Sequence, residues 1–212
     1  MSSTRAGERT PVVPLEAGAG PDNPPCPACG EPLFGWLDAR PGLGGPVKRC
    51  ESCSLGVVGD ADGSADALGA LNRLDRDEAI QIVNRASFAA WLGSAGWAGL
   101  EPESRYLFTP EAVRRLVANR DQVVVSARWI PGAGIASMWQ TLLNGLTFGC
   151  NVALGALGRG TAVPARHPWQ RRIDALISVL AAIPAILVAV PLELIAAIFR
   201  RGAVIKLRYE LL

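Results

Sequence analysis

The sequence predicts an α+β protein in which a small metal-tied module precedes a short sheet and a long apolar helical hairpin. Three observations carry that expectation. Four of the five cysteines stand in two close pairs, Cys26/Cys29 and Cys50/Cys53. Two segments, QVVVSARWI at 122–130 and AVIKLRYELL at 203–212, have the β-branched or alternating texture of strands. Two further runs, 130–158 and 175–192, carry no charge at all, in a chain whose charged residues make up 19% and hydrophobic ones 50%. The mean hydropathy is +0.24, so part of the chain is unusually apolar.

A chain of 212 residues can bury one modest core, or a small module plus a core. The formal charge of +2 gives no argument for a nucleic-acid partner. The opening MSSTRAGERTPVVPLEAGAG has no continuous apolar stretch, which predicts a cytoplasmic protein rather than a secreted one. Residues 1–25 are rich in Pro, Gly and Ala and read as a disordered tail. The small-residue interval 59–78 reads as a linker between the cysteine module, 26–58, and the remainder, 79–212.

The cysteine spacing is C-x2-C, twenty residues, C-x2-C. Two residues between thiolates let one tight turn offer both sulfurs to the same tetrahedral ion. Gly30 follows the first pair and supplies permissive backbone, whereas the second pair is followed by Ser54. Two disulfides or four free thiols are the alternatives, and a cytoplasmic chain disfavours the first. The expected ligands are Cys26, Cys29, Cys50 and Cys53, and the expected ion is a structural zinc with no open position for a substrate. The fifth cysteine, Cys150, reads as a small buried hydrophobe.

Two glycine clusters imitate a nucleotide-cofactor loop. LDARPGLGG at 37–45 lies between the cysteine pairs, where a metal-tied hairpin leaves no room for a crossover to a parallel strand. PGAGIAS at 131–137 follows a strand but lacks an acidic partner. Both read as structural. Thr109-Pro110-Glu111 is a helix start: a capping hydroxyl, a proline suited to the first position and an acid at the positive end of the dipole. Ala112, Val113, Leu116 and Val117 recur on one face behind it, and Ile205, Leu207 and Tyr209 alternate with charges in a strand that has one wet face.

These residues resemble a family: bacterial class I S-adenosylmethionine-dependent methyltransferases with an N-terminal zinc ribbon. The likeness is strongest in WAGLEPESRYLFTPEAVRRLV, from Trp97 to Val117, and extends to CESCSLGVV, QVVVSARWI, SMWQTLLNGL, PLELIAAIFRRG and AVIKLRYEL. The resemblance implies that 122–130 and 203–212 pair as antiparallel strands beside a larger parallel sheet. The cofactor-binding part of the family has no counterpart here, because about twenty residues occupy the interval that would hold it. Where the family shows an Arg-His pair, this chain has Glu103 and Ser104. The resemblance therefore implies an internally deleted relative: α+β, with a partial methyltransferase-like sheet remnant, no catalytic or cofactor-binding residue, and no S-adenosylmethionine binding by the isolated chain.

The apolar segments predict helices at about 137–157 and 173–200. The uncharged run Ala175–Leu192 is eighteen residues long, enough to be a candidate membrane span. Pro184 and Pro191 interrupt it, Pro191 with Glu193 reads as a fresh helix start, and Glu193 deep in lipid would cost roughly 2.5–3.5 kcal/mol. Gln140, Asn144 and Asn151 make the earlier run read as amphipathic. A hairpin lying in a membrane interface or on a partner fits better than a span, and the loop arginines Arg159, Arg166, Arg171 and Arg172 suit anionic headgroups. The lone His167, between Arg166 and Pro168, reads as a solvated loop residue.

The function expected is a non-catalytic binding or membrane-associated accessory protein, either cytoplasmic or peripheral at or inserted in the cytoplasmic membrane. Its expected partners are a full-length relative, a second copy of the chain, or a membrane surface through residues 137–200. The alternatives are a methyltransferase completed by a second chain and a small integral membrane protein with a cytoplasmic zinc ribbon.

Overall fold

The computed structural model describes residues 23–39, 44–59, 63–76, 79–118 and 120–211. Most of the expected disordered tail, the centre of the 37–45 glycine cluster and part of the expected linker lie outside the described residues. The architecture is mixed α+β, with two small sheets and one long apolar helix.

The first sheet is built on the cysteine pairs. Strands β1 (Leu33–Leu37), β2 (Val47–Cys50) and β3 (Gly56–Val58) form an antiparallel meander. The interval expected as a linker contains a helix, α1 (Ser64–Asn72), which buries Ala67 and Leu71. An alanine and a leucine four residues apart give one helical turn an apolar face, a signal too short to stand out among glycines and acids. The chain continues through β4 (Asp75–Arg76), β5 (Ala79–Val83) and α2 (Phe88–Gly93). Next comes β6 (Tyr106–Leu107), which adds to the first sheet beside β3.

Helix α3 (Pro110–Ala118) begins as its sequence predicts, with Thr109 Oγ1 accepting from Ala112 N at 3.1 Å. It buries Ala112, Val113, Leu116 and Val117. Strand β7 (Gln122–Trp129) leads into α4 (Pro131–Asn144), then α5 (Val152–Ala156), α6 (Pro168–Ile198) and finally β8 (Val204–Leu211). The second sheet has the order β4-β5-β8-β7. The expected antiparallel pair is present, from Gln122 opposite Leu211 to Trp129 opposite Ile205, and β5 pairs along the other side of β8. All strand pairs in both sheets are antiparallel.

One core unites the two ends of the chain. Leu33, Leu55 and Val57 from the first sheet meet Leu116 of α3 and Ile205 and Leu207 of β8 in one cluster with the cysteines. A second cluster gathers Ala90, Trp97, Leu107, Met138, Ala189 and Val204 where α2, α4 and α6 close over the other side.

The apolar segments differ from expectation in three ways. The first is two helices rather than one, since α4 stops at Asn144 and α5 starts only at Val152. Gln140, Asn144 and Asn151 do not form a wet face; they are buried. Asn144 donates to Gly96 O and Asn151 Oδ1, Asn151 donates to Ala98 O, and Gln140 accepts from Leu154 N. These amides satisfy the backbone of the bend that connects the helices. Finally, α6 runs unbroken for 31 residues through Pro184 and Pro191. Each proline removes one helical hydrogen bond. In the turn before Pro184, Trp139 Nε1 supplies an outside donor to Ala182 O at 2.9 Å.

Candidate metal centre and apolar helix face

The four cysteines that the spacing singled out converge. Their Sγ atoms all lie within 4.8 Å of one another. Cys26 and Cys53 sulfurs are 3.6 Å apart, Cys29 and Cys50 3.4 Å, and Cys29 and Cys53 3.7 Å. A tetrahedron of sulfurs at about 2.3 Å from a zinc ion has edges of about 3.8 Å, so the cluster is close to the size such an ion needs. Four cysteines at this spacing can hold a metal ion.

The backbone explains the convergence. In the first knuckle, Gly30 N donates to Cys26 O at 2.8 Å and Cys26 N to Glu31 O at 2.7 Å, with Gly30 at φ +79°. The second closes through Cys50 N to Leu55 O at 2.9 Å, and there Ser54 takes the left-handed conformation at φ 58°. Three of the cysteines are buried, while Cys29 is half-buried. Burial, and secondarily the neighbouring Cys50 and Cys53 sulfurs, raise the Cys29 thiol pKa to about 11. The Cys53 thiol is raised too, first by its contact with Cys26 and then by burial. Packed sulfurs resist ionising together until a cation offsets their charge. Thr109 Oγ1 donates to Cys53 O at 2.6 Å, so the residue that caps α3 also anchors the second knuckle. Arg115, in the last turn of α3, donates to Ser52 Oγ at 3.2 Å.

The second candidate feature is α6. It is long and apolar enough to cross a membrane, and only 17% of its most apolar window is buried. Its protein-facing stripe is Ala185, Ala189, Glu193 and Ala196, spaced at one helical face. Gly134 of α4 lets the two helices approach closely, since a Cβ there would meet Glu193 Oε1 at 2.5 Å. The outward face carries Leu176, Val179, Leu180, Ile183, Leu187 and Ile198, each more than half exposed.

The helix's two acids both turn inward. Asp174 accepts from Phe148 N at 2.8 Å and Gly149 N at 2.9 Å. Glu193 Oε1 accepts from Ala203 N at 2.6 Å and Trp129 Nε1 at 2.9 Å, while its Oε2 has no partner. Burial holds the Glu193 carboxyl above its ordinary range, against these two bonds. Glu193 is therefore no obstacle to an apolar surface on the opposite side. Aromatic residues mark both ends of that surface: Phe148 packs edge-on against Trp169 near the start, and Phe88 stacks on Trp91 near the end.

The remaining candidates lie outside the cysteine cluster. His167 is exposed and precedes α6, its N–H bonded to Gln170 Oε1 at 3.2 Å. Cys150 is half-buried, and its backbone pairs with Val163. The glycines at 131–137 form the opening turns of α4, which follows an antiparallel strand. No family model matches the chain, and neither a curated protein nor a solved structure does so.

Proposed function

We propose that this chain is a non-catalytic accessory protein that docks on the cytoplasmic surface of a membrane through the outward face of α6. The observation that carries the reading is that face, an uninterrupted apolar surface whose helix keeps both acids on the protein side. Contiguous exposed apolar surface of this extent marks an interaction site. At 31 residues α6 is about 46 Å long, beyond the roughly 30 Å of a bilayer's hydrocarbon. It also packs on α4 and α5, so an upright orientation would carry those elements and their buried amides into lipid. Lying flat buries the outward face alone. Arg171 and Arg172 near one end and Arg200 and Arg201 at the other reach headgroup depth in that orientation.

In this reading the four cysteines hold a structural zinc. The ion links the two knuckles and fills its coordination with thiolate, leaving no place for a substrate. The methyltransferase resemblance enters as ancestry. A class I cofactor site needs a parallel strand, a glycine-rich loop and a helix in succession, and in this reading the chain has lost that part.

Flotation with phosphatidylcholine vesicles tests the docking reading. The metal-loaded chain should float, and Leu187→Glu combined with Ile195→Glu should leave it at the bottom of the gradient. Equal flotation of the two proteins would refute the reading. Resistance of the bound protein to alkaline carbonate would replace it with a true span.

A further inference from the structure

Where α6 ends, a cavity of about 630 Å³ opens between the cysteine module and the helical side of the molecule. Four arginines line it: Arg49 from β2, Arg85 from the loop after β5, and Arg200 and Arg201 from the end of α6. No ion pair involves any of them among the described residues. The negative end of the α6 dipole accounts for two cations at its C-terminus. It does not account for Arg49 and Arg85, which come from other elements.

Arg85 is the decisive residue. It is only 9% exposed, and its Nε has no hydrogen-bond partner. Its guanidinium carbon lies over the Trp36 ring, 3.7 Å from the ring centre. Burial, and then the nearby Arg49 charge, lower its pKa to about 10. A buried, unpaired cation beside another cation is costly for a fold to keep.

The surrounding backbone is already ordered. Arg85 N bonds to Phe108 O, Asn84 N to Ala203 O, and Phe88 N to Arg201 O, all at 3.0 Å or less. An apolar groove of about 590 Å³ adjoins the cavity, lined by Phe88, Leu192, Ile195 and Ala196. The two share Phe199 and Arg201, so a basic pocket and an apolar channel meet at the end of the exposed helix face.

We propose that the arginine cavity binds the phosphate of an anionic lipid headgroup, with the acyl chains running through the adjoining groove onto α6. Guanidinium forks match phosphate oxygens, and four of them more than offset the charge of a phosphate group. The lipid source rests on the membrane-docking reading; the phosphate site itself does not.

The test uses the metal-loaded full chain with vesicles of phosphatidylcholine, with or without phosphatidic acid, and separately with inorganic phosphate. Phosphatidic acid should raise vesicle affinity. Arg85→Gln should remove about tenfold or more of that gain while leaving binding to pure phosphatidylcholine unchanged. Its thermal stability without lipid should be unchanged or higher, an outcome that a structural role for Arg85 would not give. Arg49→Gln, at an exposed side chain, should lose part of the same gain, and Arg166→Gln, in the basic loop before α6 and outside the cavity, should lose less than either. If the gain survives Arg85→Gln, or Arg166→Gln removes as much of it, general surface attraction explains it and the proposal fails. If the wild type ignores every vesicle, the docking reading fails, and the phosphate titration then decides the cavity. Stabilisation by phosphate that Arg85→Gln abolishes would assign the site to free phosphate and overturn the lipid. No response to phosphate would overturn the site as well.

Discussion

The cysteine module and the α4–α6 hairpin hold together by opposite means. In the module, four sulfurs meet at one point beside the buried Leu33, Leu55 and Val57, where an ion can link the two knuckles. In the hairpin apolar residues abound, yet the buried stripe of α6 is alanine and glutamate while its leucines and isoleucines face outward. A water-soluble helix buries its leucines and exposes its polar residues. The inversion in α6 is the observation behind the proposal that its apolar side chains meet something outside the chain.

The largest effect expected from breaking this contrast lies in the module. Cys53→Ser should abolish stoichiometric metal binding, and with it a contribution on the order of 10 kcal/mol. Chelation should raise hydrogen exchange first across residues 26–58 and then in α3, because Thr109 ties that helix to Cys53. Exchange confined to 26–58 would mean that the shared core does not couple them.

In the hairpin the strongest internal ties are the inward acids. Asp174→Ala leaves two backbone N–H groups unpaired and should cost about 2–3 kcal/mol in denaturant unfolding. Leu180→Ala, on the outward face, should cost less than about 0.5 kcal/mol in lipid-free solution. Comparable costs for the two would dissolve the distinction between the faces.

A pH series sharpens the same point. Burial, the main cause, raises the Glu193 pKa above its ordinary 4.5. The native state therefore keeps a proton that the unfolded chain has released, and stability falls as pH climbs from 4.5 towards the folded pKa, staying lower beyond it. Glu193→Gln retains an acceptor for Trp129 and Ala203, so it should remove that slope. The smallest effect is at the second knuckle. Ser54→Gly relieves a left-handed residue and should stabilise the metal-bound chain by about 1 kcal/mol.

The sequence made the local chemistry legible and left the partners of its apolar segments hidden. Cysteine spacing located all four sulfurs, because two-residue knuckles are a local property. Thr109-Pro110-Glu111 and the alternation of β8 were readable for the same reason. The fate of Gln140, Asn144 and Asn151 was not, since their partners, Gly96, Ala98 and each other, depend on a bend that periodicity does not encode. Pro184 and Pro191 predicted a break that packing against α4 overrides. The arginine cavity was invisible for a further reason: Arg49, Arg85 and Arg201 are far apart in the chain, and only the folded arrangement brings them together.

The central claim is that α6 lies flat with its outward side in lipid, and depth measurement along the helix tests it most directly. Leu176→Trp, Leu187→Trp and Leu194→Trp each place an indole on that side, near the start, middle and end of the apolar surface. With lipids brominated at successive chain positions, the added fluorescence of all three should be quenched at the same shallow depth. A profile deepest at residue 187 and shallow at 176 and 194 would mean that the helix crosses the bilayer. No quenching at any of the three would mean that lipid is not what the face was built to meet.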